Sequence, residues 1–299
     1  MYPVYPYFGH ERSCKDAPVA FPPQHQDQQP GLEYLMNPRP IFDYEGYQGS
    51  GKLEGKVAIV SGGDSGIGRA VSVAFAKEGA AVAIVYLYER EDAAETKKYI
   101  EQIGGHCLAV EGDLRETHFN REVVTKVIRS FCRLDILVNN AGVQFPQASI
   151  MDISEEQLEN TFKTNIFSYF YMTKAALPYM KLGSAIINTA SITAYQGQPD
   201  LIDYSSTKGA VVSFTRSLSL SLESKGIRVN AVAPGPIWTP LIVSSFSTEK
   251  VGKFGLDTSM KRAGQPFELA PAYVYLASGD SRYVSGQTIH VNGGVIVES

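Results

Sequence analysis

Tyr204 and Lys208 are four positions apart, and their types suit them to proton transfer. On one helix, residues at i and i+4 share a face, so the lysine ammonium would lie near the phenol. Nearby positive charge favours the phenolate and lowers a tyrosine pKa from its usual value of about 10. A tyrosine on a helix usually packs in the protein core, and a lysine is usually exposed to solvent. The pair therefore predicts an acid/base only if other residues form a cofactor-binding site around it.

A glycine-spaced turn, Ser61–Arg69, lies upstream of this pair, directly after a β-branched run and before a segment of helical period. Glycine lets backbone N–H groups approach an anion closely, and the start of a helix favours negative charge. The spacing GxxxGxG differs from GxGxxG, and a plain strand-to-helix turn is the alternative interpretation. We expect the turn to bind the pyrophosphate of a dinucleotide through Gly62, Asp64, Ser65, Gly66, Ile67 and Gly68.

Two further segments that follow strands suit the same ligand. Asp113 and Leu114 follow the third predicted strand, where a carboxylate can accept a hydrogen bond from an adenine amine. Asn140, Ala141 and Gly142 follow the fourth, where small residues leave room for a ribose. Each segment alone could be a surface turn, but together with the glycine turn they predict a dinucleotide site.

Short β-branched runs alternate with helix-period segments from about residue 53 to the C-terminus. This alternation predicts one α/β domain over 53–299, a doubly wound Rossmann-type parallel sheet with helices on both faces. Ligands of such sheets bind at the carboxyl ends of the strands. The seven predicted strands are Val57–Ser61, Val82–Leu87, Cys107–Val110, Ile136–Asn139, Ala185–Thr189, Arg228–Ala233 and Thr288–Val291. The predicted helices are Ile67–Lys77, Asp92–Gln102, Arg121–Phe131, Glu155–Met180, Ser205–Leu222 and Glu268–Leu276.

The N-terminal extension, residues 1–52, differs in composition from this domain. It holds eight of the sixteen prolines, which disfavour regular secondary structure, and six of the seventeen tyrosines, which is too aromatic for a purely solvated tail. We interpret it as an arm lying extended over the domain or a neighbouring subunit. A disordered tail is an equally good interpretation.

The net charge, the cysteine and histidine positions and the apolar runs argue against several classes of function. A formal charge of −4 and a pI near 5.8 argue against a nucleic-acid partner. Cys14, Cys107 and Cys132 lack the spacing of zinc ligands and the five histidines form no i, i+4 pair, so we expect no metal. No signal-like start and no apolar run of about 18 residues is present, so we expect a soluble, cytoplasmic protein with no membrane partner.

The glycine turn, the Asn139–Gly142 segment and a Ser…Tyr-x-x-x-Lys arrangement occur here in the order found in the short-chain dehydrogenase/reductase family, which the chain resembles over roughly 53–299. It looks closest to a bacterial branch of general-stress-protein and aldehyde-reductase-like members, whose proline-rich extension ends in a stretch like PGLEYLMNPRP. The resemblance implies an NAD(P)-dependent oxidoreductase that moves a hydride between the nicotinamide and a small aldehyde, ketone or secondary alcohol.

The resemblance also implies roles for individual residues. Tyr204 would be the general acid/base and Lys208 would lower its pKa, while both would contact the cofactor. Ser191 would hydrogen-bond to the substrate oxygen, and Asn165 would hold a water in a proton relay. The family's proline-glycine motif, which meets the nicotinamide carboxamide, corresponds here to Pro234, Gly235, Ile237 and Thr239. Ser61 replaces the threonine that usually starts the glycine motif and keeps its hydroxyl.

The choice between NAD and NADP is less clear from the sequence. An acid at the end of the second strand would select NAD, but Val85–Tyr88 contains none. Ser65 stands where a basic residue would welcome NADP, and Glu89 and Arg90 could act either way. These residues favour NADP slightly.

The substrate pocket is predicted from Ile192–Asp203 together with Leu241, Ile242, Phe246 and Phe254, mostly apolar residues that are equally common in ordinary lids. A reductase of carrier-bound oxoacyl groups is an alternative, although Arg129 and Arg133 are too few for its docking patch. A dinucleotide-sensing stress protein without turnover is another. The resemblance further implies a homodimer or homotetramer that packs through the Glu155–Met180 and Ser205–Leu222 helices.

Overall fold

Seven parallel strands form the centre of the protein in a computed structural model that describes residues 10–12, 16–18 and 20–297. A short antiparallel pair, β1 (His10–Arg12) and β2 (Asp16–Pro18), precedes them. The strands of the main sheet are β3 (Val57–Ser61), β4 (Ala81–Tyr86), β5 (Cys107–Glu111), β6 (Ile136–Asn139), β7 (Ala185–Thr189), β8 (Arg228–Pro234) and β9 (Thr288–Val291). Every predicted strand is present, with ends within one residue of those expected.

The strand order β5-β4-β3-β6-β7-β8-β9 reverses direction at the centre of the sheet. β3 pairs with β4 on one side and with β6 on the other, so the chain leaves the ends of β3 and β6 in opposite directions. A crevice opens at such a switch point and receives the ligand in doubly wound sheets. The predicted fold class, a Rossmann-type parallel sheet, is confirmed.

Helices cover both faces of the sheet because successive strand residues point to opposite sides. Ala58 and Val60 of β3 pack on the face that carries the first, second and tenth helices, whereas Val57 and Ile59 pack on the face that carries the third and fifth. The helices are α1 (Gly66–Lys77), α2 (Arg90–Gln102), α3 (Thr117–Phe131), α4 (Glu155–Phe162), α5 (Ser168–Ala176), α6 (Thr193–Gln196), α7 (Ile202–Leu222), α8 (Pro240–Val243), α9 (Thr248–Gly252) and α10 (Pro266–Ala277). Short 3-10 turns occupy Glu33–Leu35, Ile150–Asp152, Leu177–Tyr179, Glu223–Lys225 and Gly279–Ser281.

The prediction of one regular helix over Glu155–Met180 is wrong in its middle. The chain stays helical, but Lys163–Phe167 forms a π-helical turn between α4 and α5, and a 3-10 turn ends the element at Tyr179. The side chain of Asn165, inside the π turn, is bonded to the backbone of Val143. Apolar periodicity does not report such a contact, so the sequence could not reveal the turn.

Residues 20–52, which we call the arm, run along the surface of the domain. Phe21 stacks on Trp238 with ring centroids 3.7 Å apart, and the indole N–H of Trp238 donates to the carbonyl of Pro38 at 2.9 Å. Further along, the Tyr47 hydroxyl donates to the carboxylate of Glu78 at 2.6 Å. The arm is therefore anchored by packing and side-chain hydrogen bonds rather than by strands.

The described residues offer neither a membrane-spanning helix nor a cluster of metal ligands. None of the helices there is long and apolar enough to cross a bilayer. The same residues include no group of three or more histidine, cysteine, aspartate or glutamate side chains arranged to hold a metal ion.

Candidate active site

A cavity of 730 Å³ lies at the carboxyl ends of the strands, over the crevice between β3 and β6. All but two of the site residues expected from the sequence line it; Gly68 and Asn165 do not. The lining residues among them are Gly62, Asp64, Ser65, Gly66, Ile67, Asp113, Leu114, Asn140, Ala141, Gly142, Ser191, Tyr204, Lys208, Pro234, Gly235, Ile237 and Thr239. Segments distant in sequence thus meet around one space.

The glycine turn between β3 and α1 is held against the end of β6. Gly62 has φ +61°, a conformation that other residues rarely adopt. The Asn140 side chain donates to the carbonyl of Ser61 at 3.1 Å, while the Ser61 hydroxyl accepts from the Asn140 N–H at 2.8 Å. A Cβ on Gly68 would lie 1.8 Å from the carbonyl oxygen of Gly62. Gly68 therefore serves the closure of the turn rather than the wall of the cavity.

A carboxylate from the arm occupies the start of α1. Glu33 is fully buried and accepts a hydrogen bond of 2.6 Å from the Gly66 N–H, the first of the helix. The guanidinium of Arg69, one turn later, lies 2.7 Å from the same carboxylate. Because the N–H groups at a helix start carry partial positive charge, this acid is well placed there. It also commits the Gly66 N–H, which we had expected to face a phosphate.

The expected reacting groups come together in the cavity on β7 and α7. Ser191 lies just beyond the end of β7 and Tyr204 lies on α7, and both line the cavity. The hydroxyl of Thr193 donates to Ser191 Oγ at 3.1 Å and orients it. Lys208 Nζ donates to the carbonyl of Thr189 at 2.8 Å and lies 5.5 Å from the Tyr204 ring centroid.

Burial dominates the proton affinities of this group. It raises the pKa of Tyr204 to about 12, against the lowering effect of the Ser191 hydrogen bond, and lowers the pKa of Lys208 to about 7. The expectation that Lys208 would pull the Tyr204 pKa below 10 is therefore not met by the protein's own groups, since desolvation disfavours both charges. At neutral pH Tyr204 therefore keeps its proton.

Asn165 lies beneath the cavity and organises its floor. Its side-chain oxygen accepts from the Val143 N–H at 2.8 Å, and its side-chain nitrogen donates to the Val143 carbonyl at 2.8 Å and to the Thr207 hydroxyl at 3.2 Å. These bonds tie the π turn to the segment after β6 and to α7. A role in a proton relay stays a prediction.

Two buried carboxyl groups line the cavity, that of Asp64 within the glycine turn and that of Glu89 after β4. Burial, reinforced by the charge of Glu89, raises the pKa of Asp64 to about 8. Glu89 accepts hydrogen bonds from the N–H groups of Leu87 and Tyr88 at 3.0 and 2.7 Å, and burial raises its pKa. Glu89 thus supplies, three residues after β4, the acid that the sequence lacks at the strand end itself.

Asp113, expected to meet an adenine, is partly engaged by a neighbour. The Arg115 side chain lies 2.6 Å from its carboxylate. Burial acts to raise the pKa of Asp113, but the hydrogen bonds and charge of Arg115 outweigh it and hold the pKa below its usual range. The carboxylate stays ionised and keeps its capacity to accept further hydrogen bonds.

The outer wall of the cavity contains residues that sequence reasoning missed. Gln29, Pro30 and Gly31 of the arm line it, as does Gln144. Pro30 and Gly31 begin the PGLEYLMNPRP stretch, but that resemblance assigned them no role. The three arm residues reach the cavity only through contacts with parts of the chain more than fifty residues away. The apolar residues expected at the substrate end, including Ile192, Leu201, Leu241, Ile242, Phe246 and Phe254, also line the cavity.

Charged side chains at the mouth of the cavity are paired. Lys250 binds the carboxylate of Asp200, and Lys253 lies 2.9 Å from that of Glu249. Both lysines and Glu249 line the opening. The mouth therefore carries no unbalanced positive charge from these two lysines.

Comparison with known proteins identifies the family to which this chain belongs. A family model described as enoyl-(acyl carrier protein) reductase matches residues 62–296. General stress protein 39 of Bacillus subtilis is 59% identical over 94% of this chain and 98% of its own. A chloroplastic NADPH-dependent aldehyde reductase of Arabidopsis thaliana is 50% identical over 92% of this chain and 98% of its own. The crystal structure of a short-chain dehydrogenase from Burkholderia cenocepacia in complex with NADP superposes with a TM-score of 0.76 at 29% identity, covering 81% of this chain and 98% of that one. The chain belongs to the short-chain dehydrogenase/reductase family and is an oxidoreductase of that type.

Proposed function

We propose that the protein reduces small aldehydes or ketones with NAD(P)H and that Tyr204 supplies the proton. The observation that carries this proposal is that Ser191, Tyr204 and Lys208 line the cavity that the glycine turn borders, with Lys208 Nζ 5.5 Å from the centroid of the Tyr204 ring. Two hydroxyls in one cavity suit a carbonyl oxygen, which gains negative charge as hydride reaches its carbon.

The residues around the cavity suit a dinucleotide. A volume of 730 Å³ falls within the range of about 300–1,000 Å³ for small-molecule sites. The glycine turn would hold the pyrophosphate, Asp113 and Leu114 the adenine, and Asn140–Gly142 the ribose. Pro234, Gly235, Ile237 and Thr239 would meet the carboxamide. Bound there, the reduced nicotinamide supplies the hydride. The printed names of the aldehyde reductase and of the Burkholderia complex support this choice.

The chain's own residues would then complete the reduction. Ser191 donates a hydrogen bond to the substrate oxygen, and Tyr204 transfers its phenolic proton to that oxygen, which yields the alcohol. Lys208 lies within 5.5 Å of the Tyr204 ring and would stabilise the phenolate left behind. A water held near Asn165 would return a proton from solvent.

The pKa values favour reduction over oxidation. Because burial raises the pKa of Tyr204 to about 12, the phenol is protonated at neutral pH. Oxidation of an alcohol needs the phenolate, which requires more positive charge than the protein's own groups provide. We therefore propose carbonyl reduction as the direction of the chemical step near pH 7.

The structure and the relatives bear in opposite directions on the choice of cofactor. The carboxyl groups of Asp64 and Glu89 suit the 2′-hydroxyl of NAD better than a 2′-phosphate, whereas the neighbours just named are associated with NADP. We propose that the cavity binds both dinucleotides and that the enzyme prefers NADP. The charge of Glu89 would set the ratio of kcat/KM for NADPH to that for NADH. Parallel measurement of kcat/KM with NADPH and NADH tests this directly.

Reduction of carrier-bound acyl groups is the second candidate, since the description of the family model names such an activity. Arg129 and Arg133 flank the turn that leads into β6, at the end of the sheet opposite the cavity, so they cannot form a docking patch at its mouth. Arg133 is also paired with Asp135 at 2.8 Å. Turnover of acyl thioesters with rates above those of free aldehydes would favour this candidate.

The decisive experiment follows NADPH and NADH absorbance with a panel of aldehydes, ketones, sugars and acyl thioesters. We expect oxidation of the cofactor with small free carbonyl compounds. Binding of cofactor without turnover of any compound would instead favour a dinucleotide-sensing protein.

We further propose a cytoplasmic homo-oligomer, a dimer or tetramer. Large apolar side chains are exposed on the two elements expected at the interface: Leu158, Phe167, Phe170 and Tyr179 on the Glu155–Tyr179 element, and Leu220 on α7. Association would cover this surface. Sedimentation that finds only a 32.7 kDa species would contradict the assembly, and cell fractionation tests the location.

A further inference from the structure

The arm crosses the cavity outside the part of the chain that defines the family. The family model begins at residue 62. The Burkholderia structure aligns over 98% of its own length but covers only 81% of this chain. Yet Gln29, Pro30 and Gly31 line the same cavity as the glycine turn. The arm therefore closes one side of the cleft, and the family model does not include this part of the chain.

Gln29 joins two walls of the cavity. Its side-chain oxygen accepts from the Gln144 N–H at 3.1 Å, and its side-chain nitrogen donates to the Gln144 carbonyl at 2.6 Å and to the Ser244 carbonyl at 3.3 Å. Gln144 follows the Asn140–Gly142 segment, and Ser244 follows α8. One amide thus connects the strand end expected at the ribose with the segment expected to cover the substrate.

The arm is held on the other side of the cleft by Tyr88. The Tyr88 hydroxyl, just beyond β4, donates to the carbonyl of Pro30 at 2.6 Å. Gly31 then passes so close to α8 that a Cβ would lie 2.6 Å from the carbonyl oxygen of Pro240. Pro240 in turn borders the glycine turn, since a Cβ on Gly66 would lie 3.5 Å from its side chain. The arm therefore spans the cleft from β4 to α8.

Further contacts fix the arm before and after this crossing. The Gln26 N–H donates to the Val243 carbonyl at 2.8 Å, and His25 Nδ1 lies 2.8 Å from the Phe246 carbonyl. On the far side, the N–H of Glu33 donates to the buried carboxylate of Asp92 at 2.7 Å. The segment that holds α8 is thus tied to the arm at several points and cannot move independently of it.

We propose that Gln29–Gly31 form the outer wall of the dinucleotide cleft and that Gln29 is a positioning residue that slows cofactor release. The proposal rests on the proposed function, because it takes the cavity to hold NAD(P). A dinucleotide bound along the glycine turn would lie beneath the arm. The Gln29 and Tyr88 bonds must break before the arm and the segment after α8 can lift to let the cofactor leave.

The test compares Gln29→Ala and Tyr88→Phe with Gln48→Ala, in the full chain. Gln48 belongs to the same arm but is exposed and donates only to the nearby Glu45 carbonyl at 2.8 Å, so it is a matched control. Tyr88→Phe removes a single hydroxyl and keeps the ring, so its folding should not be affected. The measurements are the dissociation rate of NADPH, followed by its fluorescence after displacement, and steady-state KM and kcat.

We expect Gln29→Ala to speed dissociation and raise the KM for the dinucleotide by about tenfold, since three hydrogen bonds are lost. Tyr88→Phe should act in the same direction by about threefold, and kcat should not fall in either. NADPH dissociation rates equal to that of Gln48→Ala, or a lower kcat at unchanged KM, would contradict the proposal that Gln29–Gly31 form the outer wall of the cleft. Failure of the unaltered protein to bind either dinucleotide would overturn the proposed function, and the wall with it.

Discussion

The reaction centre and the arm wall border the same cavity but are built in different ways. Ser191, Tyr204 and Lys208 lie within eighteen residues of one another, just after β7 and on α7, and all three line the cavity. Gln29 reaches the cavity through bonds to backbone groups of Gln144 and Ser244, more than a hundred residues away. The chemistry of this protein is therefore local in sequence, whereas the enclosure of that chemistry is not.

The two regions also differ in their effect on stability. The reaction centre buries a tyrosine and a lysine whose charged forms are disfavoured there, as the pKa of Lys208 near 7 shows. Burial also raises the pKa of Glu33 in the arm, but Arg69 and the Gly66 N–H at the helix start oppose that effect and favour the charged carboxylate. We expect changes in the arm to destabilise the fold and changes in the reaction centre to remove activity while leaving the fold intact.

Glu33→Ala is expected to have the largest effect. It would leave the guanidinium of Arg69 buried beside fewer acids and the Gly66 N–H without its acceptor, at a cost of about 3–5 kcal/mol in the free energy of unfolding. Urea denaturation measures this, with the exposed Glu45→Ala as control. A loss below that of the control would show that the arm does not stabilise the domain.

Ser191→Ala should separate activity from stability. Loss of one hydrogen-bond donor to the developing oxyanion is expected to lower kcat about 100-fold, while the urea midpoint stays near that of the unaltered protein. Ser206→Ala, an exposed serine on α7 bonded only to the Ile202 carbonyl, is the control. Equal kcat values for the two variants would remove Ser191 from the mechanism.

Lys208→Met tests the stability penalty of the reaction centre through its pH dependence. Burial lowers the Lys208 pKa to about 7, so from there up to its usual 10.5 the unfolded chain binds more protons than the folded one. In that window the unaltered protein gains stability relative to the variant as pH rises, by roughly 2 kcal/mol between pH 7 and pH 9. Urea unfolding at both values measures the difference. A constant difference would mean that Lys208 is not desolvated.

Glu89→Gln is expected to have the smallest effect and to act on the choice of cofactor alone. The amide keeps an oxygen that can accept from the Leu87 and Tyr88 N–H groups, but it removes a negative charge near the adenosine end. The ratio of kcat/KM for NADPH over NADH should rise about fivefold, or roughly 1 kcal/mol. An unchanged ratio would place the adenosine ribose away from Glu89.

Much of the fold was predictable because its signals are local. The β-branched runs and the helix-period segments between them marked the parallel sheet, and the strands were found to within one residue. The π turn at Lys163–Phe167 was not, because it depends on the bond between Asn165 and Val143. Periodicity reports which face of a helix is buried, not how one amide alters its winding.

The candidate site was predictable to a similar degree. Spacing brought Tyr204 and Lys208 to one face of α7, but it could not show that burial dominates both pKa values. Gln29 gave no signal, and Glu33 lay in the PGLEYLMNPRP stretch, which assigned it no role. Their partners, such as Gln144 and Gly66, are known only once the chain has folded.

The most direct test of the central claim is a single-turnover measurement of NAD(P)H oxidation with an aldehyde from the active panel, comparing Tyr204→Phe with Tyr283→Phe. Tyr283 is fully exposed, so its variant removes a phenol hydroxyl that has no contact with the cavity. We predict that Tyr204→Phe still binds the dinucleotide but is slower by about 10³-fold, because the proton donor is gone. Tyr283→Phe should match the unaltered protein. Equal rates for the two variants would contradict the assignment of Tyr204 as the acid.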